Sequence, residues 1–277
     1  MSDSADPGFA ATLKNQLQTR FLGKPLYFFP TIDSTNTYAA RLAREGASEG
    51  TAVIADSQSS GKGRLGRSWV SPPKVNLYLS VILRPPLPAA AAPQLSLLAG
   101  VAVADTITQV CGLTPQLKWP NDVLVGGKKV CGILAEMQTE AETLCAVVLG
   151  IGVNLNAPLA AFPEELRDKA SSLLLAGGQP VDRSAFTASL LTQLEKAYEL
   201  WLEGGFPALR PAWERHAASL IGQQVTVAAP EGIVTGTVLG LDTDGALLLR
   251  EGQSGAPRRL LAGDVTVVSG YEHGVRP

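Results

Sequence analysis

The stretch Gln58-Ser-Ser-Gly-Lys-Gly-Arg-Leu-Gly-Arg-Ser-Trp69 decides how this chain is read. Gly61, Gly63 and Gly66 are interleaved with Lys62, Arg64 and Arg67, so the backbone can approach an anion closely while the cations close around it. The run Thr51-Ala-Val-Ile-Ala55 just before it has the composition of a short buried strand, which hangs the loop from a sheet edge. Residues 61–66 also fit the G-x-G-x-x-G dinucleotide fingerprint, whose mechanism requires a helix opening directly on the glycines. The next residues are instead Ser68-Trp-Val-Ser-Pro-Pro73, and a Pro-Pro pair this close argues against such a helix. Gly63 after Lys62 rules out a Walker A loop as well, since that motif needs Ser or Thr there. The loop is then either a solvated basic turn or a ligand grip of a different kind.

Outward from the loop, helix and strand periods alternate. Phe9 to Leu22 carries helical spacing and ends at Gly23, and residues 25–29 read as an aromatic strand. Asp33-Ser-Thr-Asn36 offers capping side chains to an alanine-rich helix that closes at Gly46. Asn76 to Leu83 is a strand, and a long small-residue helix runs from about Gln94 to Val110. Gly126-Gly127 joins 123–125 to 130–136 as a hairpin, and Ala146 to Val153 is a further apolar strand holding Gly150 and Gly152. Ser184 to Leu202 is a helix with Gly204-Gly205 as its stop. From Gly222 the texture changes to short alternating strands split by Gly and Asp turns, a small all-β barrel of under 60 residues that needs the larger unit to pack on. The expected division is 1–221 and 222–277.

Composition bounds the function. The 277 residues are 45% hydrophobic with net charge −2, so a large core is available and no global field draws the chain to nucleic acid or anionic lipid. Cys111, Cys131 and Cys145 are odd in number, lack C-x-x-C spacing and lie in apolar stretches, which reads as reduced core thiols in a cytoplasmic protein. The N-terminus lacks the features of a signal peptide, and no uninterrupted apolar run reaches the roughly 18 residues of a membrane span.

Three constellations join the basic loop. Asp33-Ser-Thr-Asn36 either caps its helix or presents surplus hydroxyl and amide groups to a polar ligand. Lys118, between Leu117 and Trp119 and followed by Pro120-Asn-Asp122, either snorkels out or faces a charge in a cleft. Gly150-Ile-Gly-Val-Asn154 marks a bulge or a close backbone approach. His216 and His273 are far along the chain from the loop, and no His or Cys cluster has metal-ligand spacing, which disfavours nucleophile–base chemistry. Charge neutralisation and positioning, as in attack on an activated phosphate, remain.

These motifs, in this order, resemble the biotin–protein ligases, over about residues 25–270. The resemblance implies a mixed α/β catalytic domain related to lipoate ligases, an α+β fold, followed by an SH3-like barrel. It implies that biotin and MgATP give biotinyl-5′-adenylate, which a lysine of a biotin carboxyl carrier protein then attacks. By the same analogy Ser34, Thr35, Asn36 and Gln58 hold the biotin head group, and the loop Gly61, Lys62, Gly63 and Arg64 covers it. Lys118 contacts the reacting carboxylate and α-phosphate, with Lys118 and Arg64 as the catalytic pair. Arg67, Trp69 and Asn154 serve the nucleotide, the loop orders on ligand binding, and the metal ligands are not assigned. The 32 residues before Asp33 are too few for the winged helix-turn-helix of some members, which implies the monofunctional class without DNA binding; a homodimer stays open. Lys62 stands where several relatives have arginine, which keeps charge but not a bidentate fork. Lipoate-type acyl adenylation is the nearest alternative, and a non-enzymatic nucleic-acid module is a second.

Overall fold

The computed structural model describes residues 7–86, 88–140, 143–252 and 256–267. Its larger sheet has seven strands: β1 (Leu26–Ile32), β2 (Ala52–Gln58), β3 (Leu77–Leu83), β4 (Pro115–Lys118), β5 (Asp122–Val125), β6 (Lys128–Glu140) and β7 (Thr143–Val153). They lie in the order β1-β2-β3-β7-β6-β5-β4. Only β1 and β2 pair in parallel, through a crossover that contains helix α2 (Thr35–Arg44); the other neighbours are antiparallel. This is the expected mixed sheet. β4, an edge strand that the sequence did not announce, is short and opens with a proline, as an edge tolerates.

The two faces are covered differently. α2 packs Ala39 and Ala43 on Val53, Ile82, Ala146 and Val148, and Phe29 and Tyr38 close that small core. Helices α1 (Pro7–Gln16), α3 (Gln94–Cys111) and α5 (Arg183–His216) cover the opposite face, where Leu79, Val81, Leu149 and Ile151 belong to the main core. A helical run over 89–111 is long and apolar enough by composition to cross a membrane, but 67% of it is buried inside the protein, as suits a core helix. Because α2 begins only at Thr35, the face it covers is left bare toward the glycines of β6 and β7.

Three expectations shift. The leading helix ends at Gln16 rather than near Leu22, because the N–H groups of Arg20, Phe21 and Leu22 bond the carboxylate of Glu195 on α5 instead of a helical ladder. Gly204-Gly205 is a break rather than a stop: Gly205 has φ 64°, and helix resumes through Pro207 to His216. Ser34 is the N-cap of α2, but its side chain makes no cap bond, so the polar groups before that helix are left for other partners.

The hairpin between β5 and β6 turns on Gly126 and Gly127, with φ 58° and 77°, the paired left-handed conformations of a two-residue loop. After Gly222 the chain builds β8 (Gln224–Ala229), β9 (Gly232–Leu241), β10 (Leu247–Arg250), β11 (Arg258–Leu260) and β12 (Asp264–Val267). These form a second, antiparallel sheet ordered β11-β10-β9-β8-β12, the small β unit that the texture of the sequence foretold. It is joined to the larger body by Trp119, whose Nε1 donates to Gly245 O at 3.1 Å. The small α4 (Leu173–Gly177) lies between the sheets in sequence, its N-cap Ser172 accepting from Leu175 N.

Candidate functional site

The site is hollowed out of a sheet by residues without side chains. Tyr78 pairs with Gly152 and Ser80 with Gly150 between β3 and β7; Gly132 pairs with Gly152 and Leu134 with Gly150 between β6 and β7. Residues directly opposite across antiparallel strands share a face, so Ser80, Gly132, Gly150 and Gly152 leave one shallow depression. The pairing of β7 with β3 is regular through both glycines, so the Gly-x-Gly marks close approach and not a bulge. Two side chains fill the space: a Cβ on Gly150 would lie 2.1 Å from Asn36 Oδ1, and one on Gly152 would lie 2.6 Å from the Trp69 indole.

At the α2 end the polar groups form one network. Gln58 Oε1 accepts from Thr35 N at 2.9 Å and from Thr35 Oγ1 at 3.1 Å, while its Nε2 donates to Ser71 Oγ at 2.9 Å. Ser80 Oγ lies 2.6 Å from Asn36 Oδ1, and Asn36 Nδ2 donates to Glu136 Oε2 at 2.8 Å. Ser34, Thr35 and Asn36 are all buried. Ser34, Thr35 and Asn36 therefore serve a buried pocket wall, while the exposed Asp33 accepts from Ser34 N at 2.6 Å.

The basic loop roofs this depression. Residues 64–66 make one 3-10 turn, with Leu65 at φ 55°, and no longer helix succeeds it, as Pro72-Pro73 required. Beneath it is a narrow slot of about 50 Å³ that opens into a wide cleft of about 840 Å³. Ser34, Thr35, Asn36, Gln58 and Trp69 line the slot; Gly61 and Arg67 line the wide cleft; Lys62, Gly63 and Arg64 line both. Lys62 pairs with Glu136 at 3.5 Å, and Arg64 Nη1 reaches Asn121 Oδ1 at 3.0 Å. Trp69 Nε1 is buried with no acceptor among the described residues, a donor available to a ligand.

Two expected site residues are not brought together with the rest. Asn154 lines neither cavity: it is buried, its Nδ2 donates to Ser171 O at 3.0 Å, and its Oδ1 accepts from Asn76 at 3.4 Å. Lys118 lines neither cavity; it ends the edge strand β4, opposite Asp122. Trp69, expected on the nucleotide side, lines the slot together with Ser34, Thr35, Asn36 and Gln58.

Besides Lys62, a second lysine lines the slot, Lys129. Strict alternation along β6 would give Lys129 the face of Cys131, which is fully buried in the main core. A bulge prevents this: Leu124 pairs with Lys129 and Val123 with Cys131, so two steps on β6 match one on β5. The extra residue turns Lys129 onto the face of Gly132. Its Nζ lies 2.6 Å from Asp122 Oδ1 and 5.5 Å from the centre of the Trp69 ring. Lys129 and its bulge were missed in the sequence; the visible signal was the Lys128-Lys129 pair, of which a strand of period two can put only one on either face.

No group of three or more His, Cys, Asp or Glu among the described residues could cage a metal ion. Magnesium is held elsewhere by one or two carboxylates plus substrate phosphates, so a magnesium ion carried in on a nucleotide needs no such cage.

Residues 28–154 match the biotin/lipoate A/B protein ligase family, and residues 220–268 match the biotin protein ligase C-terminal domain. A bifunctional ligase/repressor of Bacillus spizizenii is 40% identical over 249 residues, 90% of this chain and 76% of that protein. A biotin–[acetyl-CoA-carboxylase] ligase of Paracoccus denitrificans is 39% identical over 79% of this chain and 91% of its own length. Among solved structures, the biotin protein ligase of Aquifex aeolicus in complex with biotin and ATP superposes with TM-score 0.76 at 31% identity, covering 88% of this chain and 98% of that one.

Proposed function

The chain belongs to the biotin/lipoate A/B protein ligase family, and on that premise we propose how its slot and cleft carry out the reaction of a biotin–[acetyl-CoA-carboxylase] ligase. The enzyme activates biotin with MgATP as biotinyl-5′-adenylate and transfers the biotinyl group to a lysine of a biotin carboxyl carrier protein. The observation that carries the site assignment is the junction at Lys62, Gly63 and Arg64, where a narrow, polar-ended slot meets a wide cleft lined by cations.

The slot suits biotin. Thr35, Asn36 and Gln58 offer donors and acceptors at one end, matching a ureido ring, and the wall made by Trp69 and Leu134 suits the aliphatic tail. A lipoyl dithiolane has no ureido donors and acceptors to match that polar end, which disfavours the lipoate reading. The wide cleft, with Arg64 and Arg67, suits a triphosphate.

The carboxylate must approach an anionic phosphate, a repulsion of about 4 kcal/mol per unit pair at 4 Å and an effective dielectric near 20. We assign its relief to Arg64 at the junction and to Lys129 in the slot, in place of Lys118, which lines neither cavity. A biotin carboxylate oxygen attacks the α-phosphate, pyrophosphate leaves, and the mixed anhydride stays under the loop. The carrier's ε-amine then attacks the acyl carbon and AMP departs. Lys129, released from Asp122 by the ligand, stabilises charge on both oxygens as the bond forms. The same reading takes 1–221 as the catalytic domain and 222–277 as the C-terminal domain, which the glycine break at 222 supports.

ATP–pyrophosphate exchange tests the proposal: it should require biotin and fail with lipoate. Exchange driven equally by lipoate would overturn the assignment of the slot.

A further inference from the structure

We infer that Asp264, on β12 of the C-terminal sheet, is a positioning residue that latches the basic loop over the slot and thereby sets how long the ligand beneath it is retained. The inference rests on the slot being the biotin site. One carboxylate serves two guanidinium groups: Asp264 Oδ1 accepts from Arg64 Nη1 at 3.2 Å, and Oδ2 pairs with Arg67. The same Arg64 nitrogen reaches Gly263 O at 3.4 Å. Gly263 holds φ 153°, and a Cβ there would sit 2.6 Å from Val227, so the bend that presents both acceptors is specific to glycine.

Three observations make this a latch and not an incidental surface pair. The loop holds itself weakly: Leu65 at its apex is 76% exposed, and its own bonds are few, such as Gly63 N to Arg67 O at 2.7 Å and Trp69 N to Gly61 O at 2.8 Å. The anchor is fixed, because Trp119, 2% exposed, bonds Gly245 of the same C-terminal sheet and Gly245 packs on Leu97. Finally, among the described residues none after Gly152 lines the slot, so the C-terminal sheet reaches a ligand there through the loop and not by direct contact. The inner half of the clasp is the sheltered one, with Arg64 and Asp264 side chains 23% and 29% exposed, whereas Arg67 at 66% is largely screened by water.

The experiment uses the full chain with Asp264→Asn, Asp264→Glu and Arg67→Gln, the last breaking the outer pair without touching β12. Biotin dissociation from its binary complex is followed by chase with excess unlabelled biotin, and trypsin cleavage after Arg64 is followed in protein without ligand. Asp264→Asn should speed both by roughly five- to tenfold, the scale of one partly screened charged hydrogen bond, with an unchanged melting temperature. Asp264→Glu should restore both to within about twofold, and Arg67→Gln should raise both by less than Asp264→Asn. If the parent chain binds biotin while Asp264→Asn leaves dissociation and cleavage unchanged, the latch is wrong. If the parent does not bind biotin, the slot assignment fails, and the trypsin arm still decides whether Asp264 holds the loop.

Discussion

Substituting each of two glycines in β7 by alanine should produce opposite kinds of damage, although the two sit on the same face of the same strand. In Gly150→Ala the new Cβ would stand 2.1 Å from Asn36 Oδ1, against an ordinary contact of 3.4 Å, so the carboxamide must retreat by about 1.3 Å. That retreat stretches the 2.6 Å contact with Ser80 and the 2.8 Å bond to Glu136 beyond hydrogen-bonding range. One neutral bond and one to a carboxylate amount to about 3 kcal/mol, and crowding of the packed wall adds about 1. Alanine's smaller unfolded-state entropy returns roughly 0.5–1 kcal/mol, leaving a net loss of about 3 kcal/mol in stability. In Gly152→Ala the clash is with Trp69, a side chain on the loop that can swing outward. Its stability should fall by less than about 1 kcal/mol, while biotin affinity falls by roughly tenfold or more as the displaced indole opens the slot. Urea titrations with biotin calorimetry on both variants give the answer. Equal stability losses, or a Gly150→Ala protein as stable as its parent, would refute the hollowed face as the floor of the site.

Two further predictions concern the scaffold. Burial opposes ionisation of Glu195, but the N–H groups of Leu22, Arg20 and Phe21 and the nearby Arg20 charge outweigh it and hold its carboxyl below the ordinary 4.5. Its stabilising effect is therefore complete above that value and fades as pH falls through the lower folded value; Glu195→Gln should lose about 2 kcal/mol at pH 7 and show a shallower acid decline in urea titrations. Burial pushes the Cys131 thiol up, so N-ethylmaleimide at pH 8 should leave Cys131 unmodified in the folded protein and label it only after denaturation, as read by peptide mass spectrometry. Labelling of the folded chain at Cys131 would contradict its place in the core.

Much of the fold was legible because local signals agreed with it. The glycine pair at 126–127 fixed a hairpin, Pro72-Pro73 excluded a nucleotide-binding helix, and the change of texture at Gly222 marked the second sheet. Failures came where a distant partner overruled the local pattern. Glu195 lies 173 positions from Leu22, and no spacing rule reveals that it takes the N–H groups of a would-be helical turn. The site shows the same division. The hydroxyl and amide groups of residues 34–36 and the cations of the loop are written in short motifs, so they were found where they stand. Lys129 was not, since its orientation depends on one unpaired residue in the register between β5 and β6, and period-two reasoning assigns it to the core. Lys118 drew attention through its apolar neighbours, but Leu117 packs against Gly100 of α3 and Trp119 bonds the C-terminal sheet; of the same motif it is Asn121 that lines both cavities and accepts from Arg64.

The central claim is that Lys129, not Lys118, supplies the cation at the reacting centre. It is tested most directly by biotin-dependent ATP–pyrophosphate exchange in Lys129→Met beside Lys118→Met, with both proteins shown to be folded. Lys129→Met should lose exchange by roughly a hundredfold or more, the scale of removing one preorganised charge from a transition state, while Lys118→Met stays within about threefold of the parent. Loss of exchange in Lys118→Met with Lys129→Met near normal would contradict it.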